Sequence, residues 1–155
     1  MARRIFISYQ HEDQLTAKGF NLMRYNENLD LEFVGRHLLD PVNSNDPDYI
    51  SRKIREQITG SSVTVVLIGD ETADSEWVTR EIQWSLDKQP PNGMLGIRLK
   101  SQADIPQRLE DCGAEILDWY EPEDVHEFQD AIERAAAAAR RAPLMPTNSA
   151  STCTR

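Results

Sequence analysis

The sequence predicts an α/β domain of flavodoxin-like, three-layer architecture, with five parallel strands in the order 2-1-3-4-5 and helices on both faces. Two observations predict it. Apolar runs of strand length alternate along the chain with segments of helical periodicity, a pattern that demands a parallel sheet covered on both sides by right-handed crossovers. One of those runs, Val63–Ile68 (VTVVLI), is almost unbroken and rich in β-branched residues, which marks a central strand buried on both faces. In a five-stranded sheet of that order the topology reverses between strands 1 and 3, leaving a crevice beyond their carboxyl ends where such folds place ligands.

The elements follow in order. Arg3–Tyr9 (RRIFISY) is the first strand, and Gln10–Asp13 turns away from it. Asp13 can cap a helix over residues 14–25, with Leu15, Phe20, Leu22 and Met23 facing inward. Gly19 inside that helix costs about 1 kcal/mol against alanine and hints at close packing. Leu31–Val34 is a short second strand. Gly35–Asp48 is a long connection rich in Pro, Asn and Asp, of a length that in compact domains is usually functional or mobile. Asp46 and Pro47 suit the N-cap and first position of a helix on which Ile50, Ile54 and Ile58 form one stripe, and Gly60 ends it.

After the central strand, Gly69–Asp74 is a polar turn. Ser75 caps a helix that carries Glu76 in its first turn. Pro90 and Pro91 break the chain before the fourth strand, Met94–Leu99. Residues 101–113 hold at most one short helix, and Glu115–Trp119 alternates as the fifth strand. The last helix buries Val125, Phe128, Ile132 and Ala135 and ends in arginines, where the helix dipole favours cations. Residues 1–141 read as a single domain and residues 142–155 as a disordered tail.

The chain has 155 residues, enough to bury roughly 70 per cent of its unfolded surface as one domain. A net charge of −9 argues against nucleic acid or anionic membranes, which need clustered Lys and Arg. A short apolar start followed by polar residues does not read as a signal peptide, and no apolar segment approaches the roughly 20 residues of a membrane span. Cys112 and Cys153 do not look like a structural pair, so a reducing, cytoplasmic setting is expected. No dinucleotide or phosphate-loop glycine motif occurs, and His11, His37 and His126 are scattered without ligand spacing, so no metal is expected.

Attention then falls on the helix after the central strand. Trp77, Glu81 and Trp84 fall at i, i+4 and i+7, placing a carboxylate between two large rings near the carboxyl end of that strand. A carboxylate so placed is expected to be partly desolvated, which raises its standing as a functional group. Taken alone, each residue has a plainer explanation: Glu81 as a half-buried helix carboxylate, the tryptophans as core, Ser75 as a cap.

The stretch Ser75, Trp77, Val78, Glu81 and Ile82 (S-x-W-V-x-x-E-I), following the strand V-T-V-V-L-I-G, resembles the signature of TIR domains. With RRIFISY at the start, the chain is most similar to the TIR-like proteins of the bacterial Thoeris anti-phage system (ThsB-type). The likeness covers roughly residues 3–120 in element order, with close motif matches in the first strand and residues 54–85. The resemblance implies an enzyme that cleaves NAD⁺ to nicotinamide and an ADP-ribose product, with a cyclic isomer serving as an alarm signal to a separate effector protein. It implies NAD⁺ as substrate and no cofactor, with self-association through TIR surfaces. It also implies Glu81 as the catalytic carboxylate, with Ser75 and Trp77 shaping the pocket and Ser8 and Tyr9 lining the nicotinamide side. Asp40, in the long second loop, is a further substrate-binding candidate. Two other readings stand beside it: a non-catalytic TIR adaptor that acts by self-association, and, more remotely, a phosphoacceptor receiver with Asp70 as acceptor, in which Ser8 and Tyr9 stand where the acidic pair is needed and Glu12 and Asp13 are displaced along the loop.

Overall fold

A computed structural model describes residues 3–21, 31–35, 46–119 and 125–141 of the chain. Five strands, β1 (Arg3–Ser8), β2 (Leu31–Gly35), β3 (Val63–Ile68), β4 (Gly93–Arg98) and β5 (Glu115–Asp118), form one sheet in the order β2-β1-β3-β4-β5. All four pairings are parallel, with Ile5 opposite Val63 and Val63 opposite Gly93 fixing the register of the middle. The flavodoxin-like order expected from the alternation of elements is therefore the one adopted.

Among the described residues the α-helices are α1 (Gln14–Asn21), α2 (Pro47–Thr59), α3 (Glu76–Asp87), α4 (Gln107–Asp111) and α5 (Val125–Arg141). Side chains alternate across a strand, so successive residues of β1 serve two different cores. Ile5, Ile7 and Tyr9 join Ala17, Phe33, Val65, Leu67, Leu95 and the α5 residues Phe128, Ile132 and Ala135 on one face. Phe6 joins Val34, Ile54 and Ile58 on the other, where α2 packs. Beside it, Val66 and Ile68 of β3 meet Val78, Ile82 and Leu86 of α3 and Leu109 of α4. All six residues of β3 are buried, as its uninterrupted apolar run requires.

Local signals set the helix ends. The Asp46 side chain accepts a hydrogen bond from the amide of Asp48 at 3.1 Å, with Pro47 in the first turn and Gly60 at the carboxyl end. Ser75 Oγ accepts from the amide of Val78 at 3.2 Å and starts α3. Phe128 fixes α5 on the sheet, stacking on Phe33 at 6.2 Å between centroids and meeting Trp119 edge-on at 5.8 Å. Among the described residues no helix is long and apolar enough to cross a membrane.

Some expectations need correction. Leu15 is 84% exposed, because α1 turns Ala17 towards the core and Leu15 sits two positions, about 200° of helix, away from it. Gly19 has open space where a Cβ would be, so close packing is not its reason. The first strand ends at Ser8, β2 reaches Gly35, β4 starts at Gly93 and ends at Arg98, and β5 stops at Asp118. The first helix is described as far as Asn21; Leu22, Met23, most of the 35–48 connection and the 142–155 tail lie outside the described residues.

Gly93 has a packing reason that the sequence did not advertise. The α5 backbone crosses β4 so closely that a Cβ on Gly93 would overlap the carbonyl of Ala135. Because backbone cannot step aside as a side-chain tip can, Gly93→Ala should cost about 1–3 kcal/mol in denaturant unfolding. An unchanged unfolding midpoint would contradict this close approach.

Candidate active site

The strand alternation that sends Tyr9 to the α5 side sends Ser8 to the α3 side. There Ser8 Oγ donates a hydrogen bond to Glu81 Oε1 at 2.6 Å, and both residues are fully buried. The bond joins the last residue of β1 to the middle of α3, at the carboxyl ends of the strands where the topology reverses. Its length is that of a hydroxyl on a carboxylate, the strong class of hydrogen bond.

The two tryptophans flank Glu81 along α3 as the spacing predicts, and both are half-buried against the Phe6–Val34–Ile54–Ile58 cluster. Each ring has an arginine over it. The guanidinium of Arg80 lies 5.2 Å from the Trp77 ring, and that of Arg55 lies 5.5 Å from Trp84. Ser75 is occupied as the cap, with Thr79 Oγ1 donating to its carbonyl at 2.9 Å as well.

The candidate residues thus divide. Ser8 and Glu81 are in direct contact, while Ser75 and Trp77 sit one to two turns away at the start of the same helix. Tyr9 is 2% exposed in the core of the opposite face and is not brought to Glu81. Asp40 lies outside the described residues.

Three buried polar residues near Glu81 escaped the reading of the sequence. Thr64 of β3, Ser85 of α3 and Asn92 before β4 are at most 2% exposed and hydrogen-bonded to one another. The available signals were a lone hydroxyl in the otherwise apolar VTVVLI run and a serine four residues after Glu81.

The loops after β1 and β3 also meet. The amide of Glu71 donates to Glu12 Oε1 at 3.2 Å, and Lys100 Nζ holds Asp70 Oδ2 at 2.6 Å, which pushes the ammonium pKa up. Asp13 is 9% exposed and lies so close to Gly69 that a Cβ there would collide with its carboxylate. Burial, reinforced by the charge of Glu12, raises the Asp13 carboxyl from 3.8 to about 6. Asp70, the acceptor of the receiver reading, is ion-paired with Lys100 at the surface. Among the described residues no group of three or more His, Cys, Asp or Glu side chains is placed to hold a metal ion.

With this geometry in hand, comparison with known proteins decides the family. The family described as "Thoeris protein ThsB, TIR-like domain" matches residues 6–104 of the chain, well over half its length. The chain belongs to the Thoeris ThsB TIR-like domain family. The match takes in the second half of β1 and all of β3 and α3, so both Ser8 and Glu81 fall within it. The domain is also similar to a protein of Bacillus cereus (strain MSX-D12) named "Putative cyclic ADP-D-ribose synthase ThsB1", with 27% identity over 124 residues, covering 77% of this chain and 63% of that relative. The chain thus spans less than two thirds of that relative's length. Among solved structures, the TIR domain of the Toll-related receptor TRR-2 from Hydra magnipapillata superposes with a TM-score of 0.57 at 17% identity, covering 88% of this chain and 97% of that one. That likeness shows the shared TIR fold.

Asp13 gives the TIR-like domain a specific pH dependence. Its carboxyl binds a proton more tightly folded, at about 6, than the ordinary value of 3.8, so protonation favours the folded state. Its contribution is therefore full below about pH 4, is lost as pH rises to about 6, and stays constant beyond, a change on the order of 2 kcal/mol. Asp13→Asn should accordingly gain stability over wild type at pH 7 and lose that advantage at pH 4, as read from denaturant midpoints. An equal difference at both pH values would contradict the burial of this carboxylate.

Proposed function

We propose that this TIR-like domain cleaves the N-glycosidic bond of NAD⁺, releasing nicotinamide and an ADP-ribose product that closes into a cyclic isomer. The observation that carries the reading is the buried Ser8–Glu81 hydrogen bond at the reversal point of the sheet. The name of the Bacillus cereus relative supports the product class.

The chemistry asks for what the site holds. Nicotinamide leaves a cationic precursor as a neutral pyridine, so the departing group needs no general acid, unlike ordinary glycoside cleavage. As the carbon–nitrogen bond breaks, its electron pair goes to the pyridine nitrogen and positive charge develops on the ribose. One fixed carboxylate, Glu81, stabilises that charge and accepts hydrogen bonds from the ribose hydroxyls. Ser8 holds Oε1, so the carboxylate is oriented before the substrate arrives. Keeping water away lets a nucleophilic group of the same molecule capture the sugar carbon, which gives a ring in place of hydrolysis. In the conformation described Glu81 has no exposed surface, so turnover on this reading begins with an opening that admits the nicotinamide ribose. The product then carries the signal to a separate effector protein.

A second reading is favoured by one specific observation. A completely buried glutamate bonded to a neighbouring strand is also what a purely structural carboxylate looks like, and a non-catalytic TIR domain acting through self-association would contain it. Activity separates the two. Purified protein at high concentration with NAD⁺ should release nicotinamide, measured by chromatography, and Glu81→Gln should lower that release about 100-fold or more. Equal release by wild type and Glu81→Gln would sink the enzymatic reading. Ser8→Ala removes one charge-assisted hydrogen bond, worth about 1.5–3 kcal/mol, and should slow release by about tenfold or more with Glu81 still present.

A further inference from the structure

Behind Glu81 runs a chain of buried polar groups whose proton directions can be settled by counting. Ser85 Oγ donates its single proton to the carbonyl of Glu81 at 2.8 Å. In the 2.6 Å contact between Thr64 Oγ1 and Ser85 Oγ the donor must then be Thr64. With the threonine proton spent, Thr64 Oγ1 can only accept from its other neighbour, and Asn92 Nδ2 supplies that proton at 3.0 Å. The second proton of Nδ2 goes to Ser61 Oγ at 3.0 Å, and Ser61 in turn donates to the carbonyl of Ile58 at 2.7 Å. The backbone N–H of Asn92 also donates to the carbonyl of Ser85 at 3.0 Å. The result is a one-way relay, Asn92 to Thr64 to Ser85 to the Glu81 carbonyl, in which each bond polarises the next.

This relay ties α3 to β3 and to the start of β4 one turn beyond Glu81. A serine hydroxyl that bonds four residues back usually bends or weakens a helix. Here its oxygen also has a strand partner, so the backbone of Glu81 is fixed against β3 while its carboxylate is fixed against β1. We infer that Thr64 and Ser85 are positioning residues for Glu81, holding its backbone so that its carboxylate meets Ser8 and the substrate in a single orientation. As a role in turnover this rests on the NAD⁺-cleavage reading above. As a statement about where Glu81 points, it can be tested without turnover.

The test compares wild type with Thr64→Val, which keeps the shape of the side chain and removes the hydroxyl, and with Thr64→Ser, which restores it. Two quantities are read: steady-state release of nicotinamide from NAD⁺, and the ¹³C resonance of the Glu81 side-chain carboxyl in labelled protein. Thr64→Val, folded by its amide spectrum, should lower kcat by about tenfold or more with KM near the wild-type value, because misplacing a catalytic group costs rate and not binding. It should also displace the Glu81 carboxyl resonance, and Thr64→Ser should recover both. If Thr64→Val does not fold, Ser85→Ala makes the same comparison, since alanine suits a helix and removes the donor to Glu81. The inference is overturned by wild-type kcat with an undisplaced resonance in the folded variant, or by a loss of kcat that follows the folded fraction and is not recovered by Thr64→Ser. Should wild type release no nicotinamide, the cleavage reading fails by itself. The displacement of the Glu81 resonance, present or absent, then decides the positioning inference.

Discussion

A carboxylate taken entirely out of water loses its hydration and must be given hydrogen bonds in return, and the placement of Glu81 imposes that requirement on everything around it. Ser8 meets it from β1, which obliges the alternation of that strand to present a hydroxyl, not an apolar group, to α3 at its last position. The same alternation commits Ile5, Ile7 and Tyr9 to the opposite core, so the register that supplies the bond also divides the interior into its two faces. From the other side, Ser85 and Thr64 put hydroxyls into positions that are otherwise apolar. Glu81 is thus held at two levels, its carboxylate by a hydroxyl of β1 and its backbone carbonyl by a chain of polar groups running from the approach to β4 through β3 to α3.

Much of the fold was legible because it rests on local chemistry. Asp46, Pro47 and Ser75 act through their own backbone neighbours, and the Ile50–Ile54–Ile58 stripe and the VTVVLI run carry their periodicity openly. Leu15 misled for a physical reason: on an eight-residue helix that turns Ala17 to the core, an apolar side chain two positions away does not by itself name the buried face. Gly93 was silent because the α5 backbone that needs it lies more than forty positions away in sequence.

The candidate site was legible in part, and the division is instructive. The spacing of Trp77, Glu81 and Trp84 identified the helix face, and the sheet order identified the end of the sheet. The partner of Glu81 was expected among the residues ending the first strand, and only the pleat distinguishes Ser8, which meets it, from Tyr9, which does not. Thr64, Ser85 and Asn92 stayed hidden because hydroxyls and amides join helix caps, turns and cores alike, and only contacts between distant segments show which role each takes. The arginine over Trp84 was hidden for the same reason: Arg55 reaches that ring from a different helix.

The central claim is that Glu81, oriented by Ser8, is where the nicotinamide ribose of NAD⁺ is held. A crystal structure of Glu81→Gln protein soaked with NAD⁺ tests it most directly, since the variant keeps the shape of the side chain while slowing turnover. The account predicts the ribose hydroxyls within hydrogen-bonding distance of the residue 81 side chain, with Ser8 beside it. NAD⁺ bound elsewhere on the domain, with residue 81 still sealed against Ser8, would contradict it.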